Sequence, residues 1–115
     1  MAKTDPETVV AIYRVRKERL EAFLTLLRKH YPTLVRAGLV TADEPIVYQG
    51  EEQGGGPIVF EIFTWKNANA PEVAHQTPEV MQIWEAMGTM VEERGGKPKF
   101  EFPHVQKLEF AFDPA

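Results

Sequence analysis

Residues 61–66, Glu61-Ile62-Phe63-Thr64-Trp65-Lys66, run into Ala74-His75-Gln76-Thr77-Pro78-Glu79-Val80 and then Trp84, joining a strand to a helix that carries most of the candidate chemistry. The strand begins upstream, at Pro57. Alternation puts Phe60 and Ile62 on one side and Val59, Phe63 and Trp65 on the other, so both faces need covering. The helix signal is doubled. Asn67 to Ala70 can end the strand and cap a helix with Pro71 at a tolerated first position, and Thr77-Pro78-Glu79 repeats that start. His75 is therefore expected at a break between two helical pieces. Val80, Trp84, Met87 and Val91 then form one apolar stripe, which Glu93-Arg94-Gly95-Gly96 is expected to close.

Upstream, Ile46-Val47-Tyr48-Gln49 reads as a strand joined to the strand from Pro57 by Glu51-Glu52-Gln53-Gly54-Gly55-Gly56, a polar, glycine-rich hairpin connection. Val9 to Val15 is β-branched and aromatic, with Val9, Ala11, Tyr13 and Val15 on one side. Leu20, Phe23, Leu24, Leu27 and Tyr31 recur at helical spacing, so 17–36 reads as an amphipathic helix, kinked or restarted at Pro32 and stopped at Ala37-Gly38. Downstream, Lys99 to Val105 alternates as a last strand, with Pro103 requiring an edge position or a bend.

The order strand, helix, strand, strand, helix, strand defines an α+β domain, the ferredoxin-like βαββαβ arrangement in which helices cover one face of a four-stranded antiparallel sheet. One domain is expected across residues 1–115, with its core over roughly 8–110. The bare sheet face calls for a partner, and a homodimer packed sheet to sheet is the expectation. The Leu108-Glu109-Phe110-Ala111-Phe112 tail could reach across to that partner.

Composition removes several function classes. Thirteen basic against seventeen acidic residues give a net charge of -4, so no basic field exists to attract nucleic acid. The 115 residues include no cysteine and no serine, which excludes disulfides, thiolate chemistry and a serine nucleophile. No apolar run approaches the roughly 20 residues that span a bilayer and no leader pattern opens the chain, so no membrane partner and a cytoplasmic location are expected. Gly54-Gly55-Gly56 lacks the lysine of a phosphate loop, and His30, His75 and His104 lack metalloenzyme spacing, so no metal is expected.

His75 is the candidate catalytic residue, because imidazole titrates near neutrality and a helix break lets the ring turn toward a cavity. Glu61 or Glu79 could orient it, although Glu79 near a helix start has the plainer role of complementing the dipole. Trp65 and Trp84 could stack on a planar ligand, with core packing the plainer alternative, especially for Trp84. Tyr13 and Tyr48 each offer a phenol to a substrate oxygen.

On Phe63-Thr64-Trp65-Lys66-Asn67-Ala68, Ala74-His75 and Thr77-Pro78, together with the element order, the chain resembles the antibiotic-biosynthesis-monooxygenase-like group of the dimeric α+β barrel superfamily. The resemblance implies two ferredoxin-like subunits paired into a barrel, with a sheet–helix cavity for an aromatic molecule in each. It implies oxidation of hydroquinones or polyketide phenols by dioxygen without metal or flavin, or haem degradation, while many members of the group have no known activity. The rival reading is a non-catalytic dimer, structural or passively ligand-binding. Trp65 matches the group's tryptophan ending the third strand, and His75 matches the histidine on the following helix. The haem-degrading members carry an asparagine on the first strand where this chain has Tyr13, which weighs against haem.

Overall fold

The computed structural model describes residues 4–115; residues 1–3, part of the stretch read for a leader, lie outside the described residues. β1 (Glu7–Arg14) leads through a single 3-10 turn into α1 (Leu20–Arg36), and β2 (Ile46–Glu51) and β3 (Pro57–Trp65) follow. The chain continues through α2 (Ala70–His75), α3 (Pro78–Gly88), β4 (Phe100–Glu101) and β5 (His104–Val105). All strand pairs are antiparallel, in the order β2-β3-β1-β4, with β5 also on β1. This is the expected α+β, ferredoxin-like topology. The last strand is in two pieces because Pro103 has no N–H to donate to the ladder. The register is unbroken across it: Ile12 faces Glu101, Val9 faces His104, and Val10 N–H still bonds the Pro103 carbonyl at 2.9 Å.

Alternation on β1 and β3 decides what faces the helices. Val9, Ala11 and Tyr13, with Val59, Glu61, Phe63 and Trp65, are buried under α1 and α3, whereas Thr8, Val10, Ile12, Ile58, Phe60 and Ile62 lie half-buried on the open face. Phe23, Leu27 and Leu34 of α1 and Val80 and Met87 of α3 close the core from above. Phe23 and Leu34 are fully buried and contribute about 1.5–3 kcal/mol apiece.

The helices end differently from expectation at two places. Pro32 neither breaks nor restarts α1, which runs continuously to Arg36 with Pro32 exposed on its outer side. At the end of α1 the stop is as expected: Gly38 takes φ +71° and donates to Val35, while Leu39 donates to Leu34, two buried leucines sealing the turn. α3 closes at Gly88, ahead of the glycine pair 95–96, because Val91 leaves the helical stripe to bridge Val15 at the end of β1. Arg16 N–H to Met90 and Glu92 N–H to Arg14 fix that crossing. Beyond it, Arg94 lies so close over Gly56 (φ +108°) that a Cβ there would run into its guanidinium. Among the described residues, no helix is long and apolar enough to cross a membrane.

Candidate functional site

Between the sheet and the α2–α3 pair lies a cavity of about 260 Å³. The sheet supplies Val9, Tyr13, Phe63 and Trp65, and the last strand adds Phe100, Phe102 and His104. α1 contributes His30, and the α2–α3 layer contributes Pro71, His75, Trp84 and Met87. The aromatic walls meet edge to face: Phe63 and Trp65 centroids are 5.1 Å apart, and Trp65 and Trp84 are 6.5 Å apart. Such walls suit a flat apolar ligand.

Below this cavity runs a buried polar relay. Tyr13 donates its hydroxyl to Glu61 at 2.9 Å, His30 Nδ1 lies 3.0 Å from both Glu61 oxygens, and Trp84 Nε1–H donates to His30 Nε2 at 2.8 Å. Indole nitrogen only donates, so His30 Nε2 accepts, and the ring proton sits on Nδ1 and points to Glu61. The relay joins β1, β3 and α1 through Tyr13, Glu61 and His30, which are almost wholly removed from water, and reaches α3 through the partly buried Trp84. Burial first, and then the charge of Glu61 and its hydrogen bond, push the Tyr13 phenol well above its ordinary value of 10.0.

His75 is placed as expected, at the α2–α3 break. Its Nδ1 lies 2.7 Å from the Pro71 carbonyl, one helical turn back, so that nitrogen carries the proton and Nε2 is left to accept. The ring packs on Trp84 with centroids 4.9 Å apart. Thr77 holds the cap position, but its hydroxyl donates back to Val73 at 2.8 Å, closing the break instead of capping α3.

Of the sequence candidates, His75, Trp65, Trp84 and Tyr13 share this cavity. Tyr48 does not: it sits on the uncovered edge strand β2, opposite Phe60 on the open sheet face, and is exposed. Glu61 is on the helix-facing side but is consumed by Tyr13 and His30, so it does not orient His75. Glu79 is exposed on α3, and the carbonyl of Pro71 takes the orienting role expected of a carboxylate. All three histidines line the cavity, yet no group of three His, Cys, Asp or Glu among the described residues is arranged to hold a metal ion.

His30 is the residue that the helical pattern under-read. It falls at the spacing of Phe23, Leu27 and Leu34, and Glu61 alternates with Val59 and Phe63, so both polar groups occupied buried positions in the pattern. Two buried polar side chains on facing elements must find partners, which was the available signal.

No family model matches the chain, and no curated protein matches it significantly. Solved structures do. The fold is shared with an antibiotic biosynthesis monooxygenase at 16% identity, over 89% of this chain and 98% of that one, with a TM-score of 0.64. It is shared with a mutant form of SnoaB from Streptomyces nogalater, a cofactor-independent oxygenase, at 12% identity over 92% and 96% (TM-score 0.64). A conserved protein from Methanosarcina mazei Go1 matches at 14% identity over 92% and 96% (TM-score 0.62). The chain thus has the antibiotic-biosynthesis-monooxygenase-like fold that its sequence resembles.

Proposed function

We propose that the protein binds a small planar phenol or quinol in this cavity and oxidises it with dioxygen, using no metal or organic cofactor, with His75 as the base. One observation carries the reading: an aromatic-walled cavity borders an imidazole whose Nδ1–H is fixed on Pro71, leaving Nε2 to take a proton. The fold shared with a cofactor-independent oxygenase supports it. His75 Nε2 removes the phenolic proton, and the anion's ring carbon bonds to dioxygen. The resulting peroxide takes the proton back, and the carbon then loses its hydrogen as the O–O bond breaks. The products are one quinone and one water, and the substrate supplies all the electrons. Apolar walls shield the anion and peroxide from water.

Haem fits poorly. The cavity lies just below the roughly 300–1,000 Å³ of drug-sized pockets, which suits one or two fused rings and not a tetrapyrrole. The Tyr13 hydroxyl, at the position of the haem degraders' asparagine, is already committed to Glu61. The working unit in this reading is a homodimer; exposed Ile46, Val47 and Tyr48 on β2 and Leu108, Phe110 and Phe112 in the tail favour a covering partner.

Oxygen uptake with a panel of naphthols, hydroquinones and polycyclic phenols tests the proposal, with His75→Ala run beside the parent. Uptake by the parent, matched by quinone absorbance and abolished in a folded variant, is the expected result. Uptake by neither protein, or by both equally, overturns it in favour of passive binding.

A further inference from the structure

We infer that His104, held by Glu7, is a second ligand-contacting imidazole of this cavity, taking a second oxygen of the bound ring while His75 takes the first. The inference rests on the reading of the cavity as a site for an oxygenated aromatic molecule. Antiparallel register sets the geometry. His104 pairs with Val9 and Phe100 pairs with Tyr13, and all four side chains line the cavity. Phe100, Phe102 and His104 therefore form one stripe with a two-residue period, apolar until its last member.

The His104 hydrogen bonding matches that of His75. Its Nδ1 lies 2.8 Å from Glu7 Oε1 and donates to that carboxylate, which fixes the ring and leaves Nε2 without a protein partner among the described residues. Glu7 has the parity of Val9 on β1 and faces the same side of the sheet. The carboxylate also faces any positive charge that forms on the ring, as the acidic member of a catalytic triad does. His30 cannot serve, since Glu61 and Trp84 occupy both its nitrogens. The two open ring nitrogens thus come from opposing layers, His104 from the sheet and His75 from the helix break. Two polar atoms across an apolar slot select a ring with an oxygen at each end over one with a single oxygen.

Anaerobic binding decides the matter, read by quenching of Trp65 and Trp84, with naphthalene-1,4-diol, 1-naphthol and naphthalene as probes. The parent is expected to bind the diol about tenfold more tightly than 1-naphthol, the worth of one added hydrogen bond. His104→Phe continues the aromatic stripe, and it is expected to bring that ratio to about one. Glu7→Gln, which keeps a weaker acceptor for Nδ1, is expected to lie between, and circular dichroism confirms that both variants fold. A ratio near one in the parent, or an unchanged ratio in His104→Phe, overturns the role of His104 and leaves the cavity reading standing. Failure of 1-naphthol itself to bind overturns both.

Discussion

His30 and His75 border the same cavity, one from α1 and one from the α2–α3 break, and their hydrogen bonds differ in kind. His30 spends both nitrogens inside the protein, on Glu61 and Trp84; His75 spends one, on the Pro71 carbonyl. A saturated buried group resists rearrangement, because each partner it released would be left unpaired at a cost of about 1–3 kcal/mol. A group with one open nitrogen can exchange water for ligand at little cost. The difference teaches that burial and a hydrogen-bonded carboxylate do not by themselves mark chemistry; an unclaimed atom at a cavity wall does. By that criterion the relay is the floor of the cavity, and the groups proposed to meet a ligand are those with an open nitrogen at its wall.

The sharpest way to break this division is to remove the centre of the floor. Glu61→Ala strands the Tyr13 hydroxyl and His30 Nδ1–H together, and it is expected to destabilise the fold by about 2–6 kcal/mol. Urea unfolding, read as a shifted midpoint at constant slope, measures it. A loss below about 1 kcal/mol would mean that water already reaches the relay. Trp84→Phe is the milder test: it keeps an aromatic ring in the wall but leaves His30 Nε2 without its donor, at a cost of about 1–3 kcal/mol.

This floor was only half legible in the sequence. Alternation correctly placed Val9, Ala11 and Tyr13 on one side of β1 and Val59, Phe63 and Trp65 on one side of β3, because a sheet covered on one face enforces a two-residue period. The break at His75 was legible too, since proline at a helix start is a local signal. Partnership was not legible. Glu61 lies between Val59 and Phe63 and looks like a companion for the nearby His75, yet it pairs with His30, thirty-one residues upstream. Which buried donor meets which acceptor depends on helix placement over the sheet, and no local pattern encodes that. The same applies to the end of α3, where the strand pairing of Val91 with Val15 overrides a continuing helical stripe.

Titration sharpens the contrast between the two sheet faces, because neighbours Tyr13 and Arg14 point to opposite sides. Tyr13 holds its proton more tightly folded than unfolded, so its contribution is fully present below the unfolded value of about 10. That contribution declines as pH rises from there toward the higher folded value. Unfolding midpoints between about pH 9 and 11 are expected to fall more steeply in the parent than in Tyr13→Phe. On the other face Arg14 bonds Glu52 at 3.1 Å and Glu101 at 2.8 Å, and Arg94 reaches Glu52 at 3.3 Å. Burial raises Glu52, but the bonds and charges of Arg14, with Arg94 and Lys97, outweigh it and hold the carboxyl below its ordinary 4.5. Its contribution is therefore present above about 4.5 and lost as pH falls through the lower folded value, a smaller acid-side slope that Glu52→Gln should flatten.

The smallest effect on stability is expected at the residue with the largest expected effect on turnover. His75→Ala removes one hydrogen bond from an exposed ring and one edge contact with Trp84, while placing a better helix former in the last turn of α2. These terms oppose one another, and the net change should stay within about 1 kcal/mol. Thermal unfolding followed by circular dichroism measures it on the same samples used for oxygen uptake. A near-parental melting temperature with no uptake would set His75 apart from the relay as a group retained for chemistry. A loss comparable to that of Trp84→Phe would instead place His75 with the floor, as a clasp that holds the helix break closed.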